Sequence, residues 1–277
     1  MQKNVLRIDN ISELDLAKTF DCGQCFRWEP EEDGSWTGIA GSRPANMRIE
    51  NGTLVIEEPE GGSRSADFWR NYLDLDTDYG ALNAFLSDSE PEIMPEAISS
   101  GSGIRILRQD LWETVVHFII SQNNNIPRIK GCIERLAAVA GEPVCEFMGK
   151  TRYATPTAEK LASMTAEDLK EVRLGYRDKY LIETAKEWQT LTESEREDVG
   201  RFTGVGPKVE SCIRLFGLHD MASFPIDVWV RRLMNRFYGF DEKDKSGMDK
   251  FASERFGEYA GLAQQYLFYY IRETDLG

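Results

Sequence analysis

The chain of 277 residues is poor in histidine, with only His117 and His219, and holds five scattered cysteines. An odd, dispersed set of thiols offers no disulfide framework and points to a reducing, intracellular setting. Cys22 and Cys25 do form a C-x-x-C. A tetrahedral zinc site would need two further ligands, yet only the two histidines remain and no second C-x-x-C appears. The F-R-W that follows is not a helix start in a βαβ unit, as a thioredoxin-type pair would require. A packed loop beside a strand is the other reading of this pair. No apolar run approaches the roughly 18 residues that span a bilayer. The opening M-Q-K-N-V-L-R-I-D-N also lacks the apolar segment of a signal peptide, which again leads to an intracellular expectation.

Net positive charge is missing too, with 33 Lys and Arg against 47 Asp and Glu, a balance of −14. Taken whole, that argues against a polyanionic partner. The deficit is local, however. Residues 1–100 hold 8 basic against 20 acidic residues, whereas residues 101–277 hold 25 against 27. Within the second part, basic residues cluster as Arg128, Lys130 and Arg135, as Arg173, Arg177 and Lys179, and as Arg231, Arg232 and Arg236. Nucleic-acid binding is plausible there.

What is present is a globular composition, 41% hydrophobic and 29% charged, in a chain long enough for one large domain or two ordinary ones. F-R-W at 26–28, S-W-T-G-I-A at 35–40, A-N-M-R-I-E at 45–50 and T-L-V-I-E at 53–57 have strand composition, separated by turn-forming E-E-D-G, G-S-R-P and E-N-G. From Ala66 onward the apolar spacing becomes helical. The pattern predicts a core helix over 107–121 and an amphipathic one over 126–139, with Pro127 in its first turn. T-P-T-A-E-K-L at 155–161 and M-T-A-E-D-L at 164–169 each set a Thr ahead of an acid in the manner of a capping box. The expected class is α+β: an N-terminal antiparallel sheet domain over 1–100, then a helical body over 101–277.

Chemistry concentrates in F-T-G-V-G-P-K-V at 202–209 and F-P-I-D-V-W at 224–229. Two glycines in a tight turn, then a lysine opening a helix, suit a backbone grip on phosphate at Gly204, Val205 and Gly206. Desolvated, Lys208 becomes a nucleophilic amine, so its pKa is expected to be lowered by burial. A plain Gly-rich turn with a solvated lysine fits the same letters. Asp227, just after Pro225, is a credible N-cap, and a cap and nothing more is its bland reading.

These two segments, with C-G-Q-C-F-R-W (22–28), S-Q-N-N-N-I-P-R-I (121–129), L-G-Y-R-D-K-Y (174–180) and G-L-A-Q-Q-Y-L-F (261–268), resemble in order the helix-hairpin-helix 8-oxoguanine DNA glycosylase/AP lyases, a bacterial member close to the animal type. The resemblance covers residues 20–268, with the helix-hairpin-helix at about 200–215. It implies excision of 8-oxoguanine, preferably opposite cytosine, by Lys208 attack on C1′, with Asp227 assisting and strand nicking through a Schiff base. It implies damaged-base contacts from Gly23, Cys212, Pro225, Gln264 and Phe268. Asn123, Arg128 and Arg177 would read the orphaned cytosine, and Tyr176 would fill the gap. For the arginines a solvated basic face, and for Asn123 a cap near the helix start, are the alternatives.

Three positions depart from the animal pattern. Trp229 stands where a phosphate-contacting histidine belongs, Ile271 where an acid belongs, and Thr203 precedes Gly204 in place of proline. The iron–sulfur branch is excluded because no cysteine follows Cys212. The alkylbase branch generally lacks the hairpin lysine, and a non-catalytic hairpin module would not explain Asp227, Gln264 and Gly23 together. The resemblance further implies a monomer acting on 8-oxoguanine-containing duplex DNA, cytoplasmic or nucleoid-associated. It implies no side-chain metal, only a monovalent cation on hairpin carbonyls.

Overall fold

A computed structural model describes residues 3–60 and 66–275. The N-terminal part is a five-stranded antiparallel sheet in the order β1-β5-β4-β3-β2, built from β1 (Lys3–Ile8), β2 (Trp28–Pro30), β3 (Trp36–Ala40), β4 (Arg43–Glu50) and β5 (Thr53–Pro59). β1 has no counterpart in the sequence reading. It pairs along β5 at the sheet edge, where Val5 is exposed and the alternation is weak. Before β2 comes the short helix α1 (Leu16–Asp21). After β5 come α2 (Ala66–Tyr72), α3 (Tyr79–Ser89) and α4 (Met94–Ser100).

The helical body follows: α5 (Leu111–Ser121), α6 (Ile126–Ala140), a small hairpin of β6 (Pro143–Phe147) and β7 (Lys150–Tyr153), α7 (Ala158–Ala162), α8 (Arg177–Gln189), α9 (Pro207–Gly217), α10 (Val228–Tyr238), α11 (Lys245–Phe256) and α12 (Ala260–Asp275). The architecture is α+β, as the sequence indicates.

Local chemistry corrects several expectations. α5 begins at Leu111, because Asp110 caps it by accepting the Glu113 N–H at 2.8 Å. Residues 104–110 run instead as an irregular segment, buried over 104–107, so the expected helix start at Leu107 lies four residues too early. α6 is capped by Asn125, whose side chain accepts the Arg128 N–H at 3.0 Å, and not by Asn123. Thr165 and Asp168 exchange the two hydrogen bonds of a capping box. In α7, Thr157 caps alone, since the residue three positions on is Lys160.

Two apolar cores meet at the site. One gathers the sheet with Phe20, Cys25, Trp28, Trp69 and Leu107. The other gathers the helical body with Cys22, Phe26, Ile104 and Ile106. The loop Cys22–Cys25 therefore belongs to both, one cysteine buried in each. Phe20 stacks on Trp28 with ring centroids 4.2 Å apart, and Trp28 Nε1 donates to Tyr72 Oη at 2.9 Å. Arg27, nearly inaccessible, donates to Glu134 Oε1 and to the Tyr153 carbonyl, each at 2.8 Å. It ties the loop's exit to α6 and the β6–β7 hairpin.

Candidate active site

The turn that opens α9 is fixed by packing. Gly204 has φ +84°, and a Cβ there would lie 2.5 Å from the Tyr180 ring, so no other residue fits. Gly206 faces open space, and as the N-cap of α9 it supplies no side-chain acceptor. With Pro207 at the first position and no side-chain cap, the first-turn N–H groups that follow have no intrahelical partner, the arrangement that attracts an anion.

One turn along α9 brings Lys208 and Cys212 to the same face. Lys208 Nζ lies 5.5 Å from the centroid of the Phe118 ring, which stacks on Phe216 at 5.4 Å. Asp227 caps α10, its Oδ1 accepting the Val230 N–H at 2.8 Å. α12 contributes Gln264 and Phe268, again one turn apart, and the 22–25 loop contributes Gly23. All seven predicted pocket residues, Gly23, Lys208, Cys212, Pro225, Asp227, Gln264 and Phe268, line one cavity together with Cys22, Phe118, Phe216 and Gln265.

Gly23 adopts φ +84° beside the Phe268 ring. Its neighbour Gln24, whose role the sequence does not reveal, holds it there. Gln24 Nε2 donates to the carbonyls of Thr19 and Arg105 at 2.9 and 2.8 Å, and its Oε1 accepts the Leu107 N–H at 2.9 Å. Gln109 Nε2 also donates to the Gln24 carbonyl at 2.8 Å. The only sequence signal was a long polar amide placed between two apolar-loop cysteines.

The electrostatics differ from expectation in one respect. Burial opposes the Lys208 charge, but the Cys212 sulfur and the Asp227 carboxylate prevail and hold the ammonium above its ordinary range. Burial also raises the Asp227 carboxyl, against the Val230 N–H and the Lys208 charge. Burial likewise raises the Cys212 thiol, with Lys208 pulling the other way. The resting site is thus a compact lysine–thiol–carboxylate cluster.

The remaining predicted residues lie elsewhere. Asn123 is exposed at φ +46°. Tyr176 is 48% exposed, its ring 5.5 Å from Tyr180, while Arg128 is exposed on the first turn of α6. Arg177 is only 4% exposed and turned inward. Its Nε donates to the Gln122 carbonyl and its Nη1 to the Leu174 carbonyl, both at 2.9 Å, and its Nη2 donates to the carbonyls of Gln122 and Asn123. Of the departures, Trp229 packs under the Arg232 guanidinium at 5.1 Å, and Ile271 is buried in the helical core.

Comparison with known proteins decides the family. Residues 7–115 match the 8-oxoguanine DNA glycosylase N-terminal domain, and residues 116–258 match the HhH-GPD superfamily of base excision DNA repair proteins. The chain belongs to the 8-oxoguanine DNA glycosylase family. Within this family it is 33% identical to the Saccharomyces cerevisiae N-glycosylase/DNA lyase over 83% of this chain and 69% of the yeast protein. It superposes on the Clostridium acetobutylicum 8-oxoguanine glycosylase/lyase bound to duplex DNA with cytosine opposite 8-oxoguanine, with a TM-score of 0.91 at 36% identity over 99% of this chain and 98% of that one. The apo form of the same Clostridium enzyme gives 0.89 at 36% identity, covering 97% and 98%. Among the described residues, no group of three or more His, Cys, Asp and Glu could hold a metal ion, and no helix is long and apolar enough to cross a membrane.

Proposed function

We propose that this 8-oxoguanine DNA glycosylase extrudes the oxidised base from duplex DNA, excises it and then nicks the strand, with Lys208 as nucleophile. The observation that carries the reading is the meeting, in one cavity, of a lysine amine, a carboxylate and the base-reading set Gly23, Gln264 and Phe268. Base chemistry inside a duplex requires that the nucleotide leave the stack. The Gly204–Val205–Gly206 turn grips backbone phosphate, and the opposite strand meets Asn123, Arg128, Tyr176 and Arg177.

Lys208 Nζ forms a bond to C1′ as the glycosidic bond breaks, and the base departs with that electron pair and takes up a proton. Opening of the sugar ring gives the protonated Schiff base, and loss of a C2′ proton expels the 3′ phosphate. Asp227 stabilises the positive charge that develops on the sugar while it caps α10. Nucleophilic attack needs the neutral amine. DNA closing over the pocket removes the water that supports the ammonium, so substrate strengthens the one influence that already opposes its charge. Gly23 offers its carbonyl to N7–H, Gln264 reads the Watson–Crick edge, and Cys212 and Phe268 sandwich the base beside Pro225.

The 203–206 turn contains no thiolate, imidazole or carboxylate. Its carbonyl oxygens suit a hard monovalent cation and no transition metal. One chain supplies every group of the pocket, which fits a monomer working inside the cell on chromosomal DNA. We divide the chain into a sheet domain over 1–100 and a catalytic body over 101–277. Borohydride trapping tests the central step. An 8-oxoguanine:cytosine duplex gives a covalent adduct with the native protein and none with Lys208→Gln, and an adduct of equal yield from that variant would sink the assignment.

A further inference from the structure

Gln265 is 3% exposed and lines the same cavity as Gln264, yet its Oε1 is buried without a hydrogen-bond partner. Its Nε2 donates to Gln264 Oε1 at 2.7 Å. Consecutive helical residues project about 100° apart, so they do not ordinarily face one another. Here the two amides form one unit across the end of the cavity. The Gln264 oxygen is taken up by its neighbour, which leaves that amide its nitrogen, a donor. Gln265 contributes an acceptor. Buried amide oxygens almost always find a partner, and leaving one unpaired carries a desolvation cost. Among the described residues the buried Gln24 amide is hydrogen-bonded through both its nitrogen and its oxygen, whereas this oxygen is not.

We propose that Gln265 is a second reader of the extruded base. It fixes the facing of the Gln264 amide, and its Oε1 accepts from the N–H groups of the base edge. The inference rests on the pocket taking an oxidised guanine. A guanine edge presents the O6 acceptor beside the N1–H and 2-amino donors, the complement of a donor–acceptor pair of amides. An adenine edge presents the reverse order, a 6-amino donor beside a bare N1, and would meet like groups. The amide pair therefore sets purine identity, while the carbonyl of Gly23 senses oxidation.

Single-turnover excision from duplexes carrying 8-oxoguanine or 8-oxoadenine opposite cytosine tests this, with affinity for a tetrahydrofuran abasic-site duplex measured alongside. Gln265→Leu is expected to slow 8-oxoguanine excision about 10- to 100-fold. It should also narrow the 8-oxoguanine preference over 8-oxoadenine, and leave abasic-site affinity within about twofold, since that DNA presents no base edge. Gln265→Met repeats the test with a side chain of closer length should the leucine variant lose its fold. Unchanged excision and discrimination in these variants overturn the inference, as does an equal loss on abasic-site DNA, which marks Gln265 as structural support. Failure of the native protein to excise 8-oxoguanine overturns the functional reading itself, a separately recognisable outcome.

Discussion

The pocket and the proposed opposite-strand side of the molecule are built in contrasting ways. In the pocket each functional side chain sits on a helix or a clamped loop. Asp227 is held by the α10 N-terminus, Lys208 by the first turn of α9, and Gly23 by the hydrogen-bonding groups around Gln24. On the other side Asn123 adopts an uncommon left-handed backbone, Tyr176 and Arg128 project outward, and Arg177 spends its guanidinium on three backbone carbonyls. Electrostatic preorganisation explains the difference. Groups that meet a transition state gain most from being fixed in advance, whereas in the proposed reading the groups of the other side act only once DNA has been opened.

The contrast can be broken at several points. The largest effect beyond the proposed nucleophile is expected at Asp227. Asp227→Asn keeps an N-cap oxygen, so its melting temperature should stay close to native while excision falls about 10²- to 10³-fold. Asp227→Ala should lose the cap as well, about 1 kcal/mol of stability. If the Asn variant excises normally, the carboxylate is only a cap.

Arg177 and Arg128 sharpen the other side. Arg177→Ala leaves three carbonyls without their donor and should cost about 2–3 kcal/mol by denaturant unfolding. Arg128→Ala, on an exposed surface, should leave stability unchanged while narrowing the difference in excision opposite cytosine and opposite other bases. Should Arg177→Ala unfold like the native chain, the inward-turned guanidinium is not a structural clamp.

The smallest predicted effect concerns pH. Attack requires neutral Lys208, and the free protein holds the ammonium above its usual range, so single-turnover excision should rise with pH through the neutral region. Removing one supporter of that charge in Cys212→Ala lowers the Lys208 pKa and moves the rise to lower pH. A pH profile identical to the native one would show that Cys212 does not support the ammonium.

Much of this arrangement was legible in the sequence because it rests on local chemistry. Lys208 and Asp227 each start a helix, and glycine, proline and capping residues mark helix starts plainly. The sheet strands with clean alternation were readable for the same reason. β1 and the β6–β7 hairpin were not, since half-exposed edge strands such as P-V-C-E-F carry little apolar periodicity. Leu107 continues the apolar spacing of α5, and only the Asp110 cap reveals where helix begins. The roles of Gln24 and Gln265 were out of reach. A glutamine reads as a surface residue until the fold buries it, and the inward turn of Arg177 is invisible for the same reason.

The double membership of the Cys22–Cys25 loop has a chemical side as well. Burial pushes the Cys22 thiol up to about 11 and raises Cys25 well above its ordinary value. At neutral pH a thiol titrating there is only about one part in 10⁴ thiolate, and peroxide attacks the thiolate, not the thiol. The loop that carries Gly23 is thus held in a form that peroxide can scarcely touch.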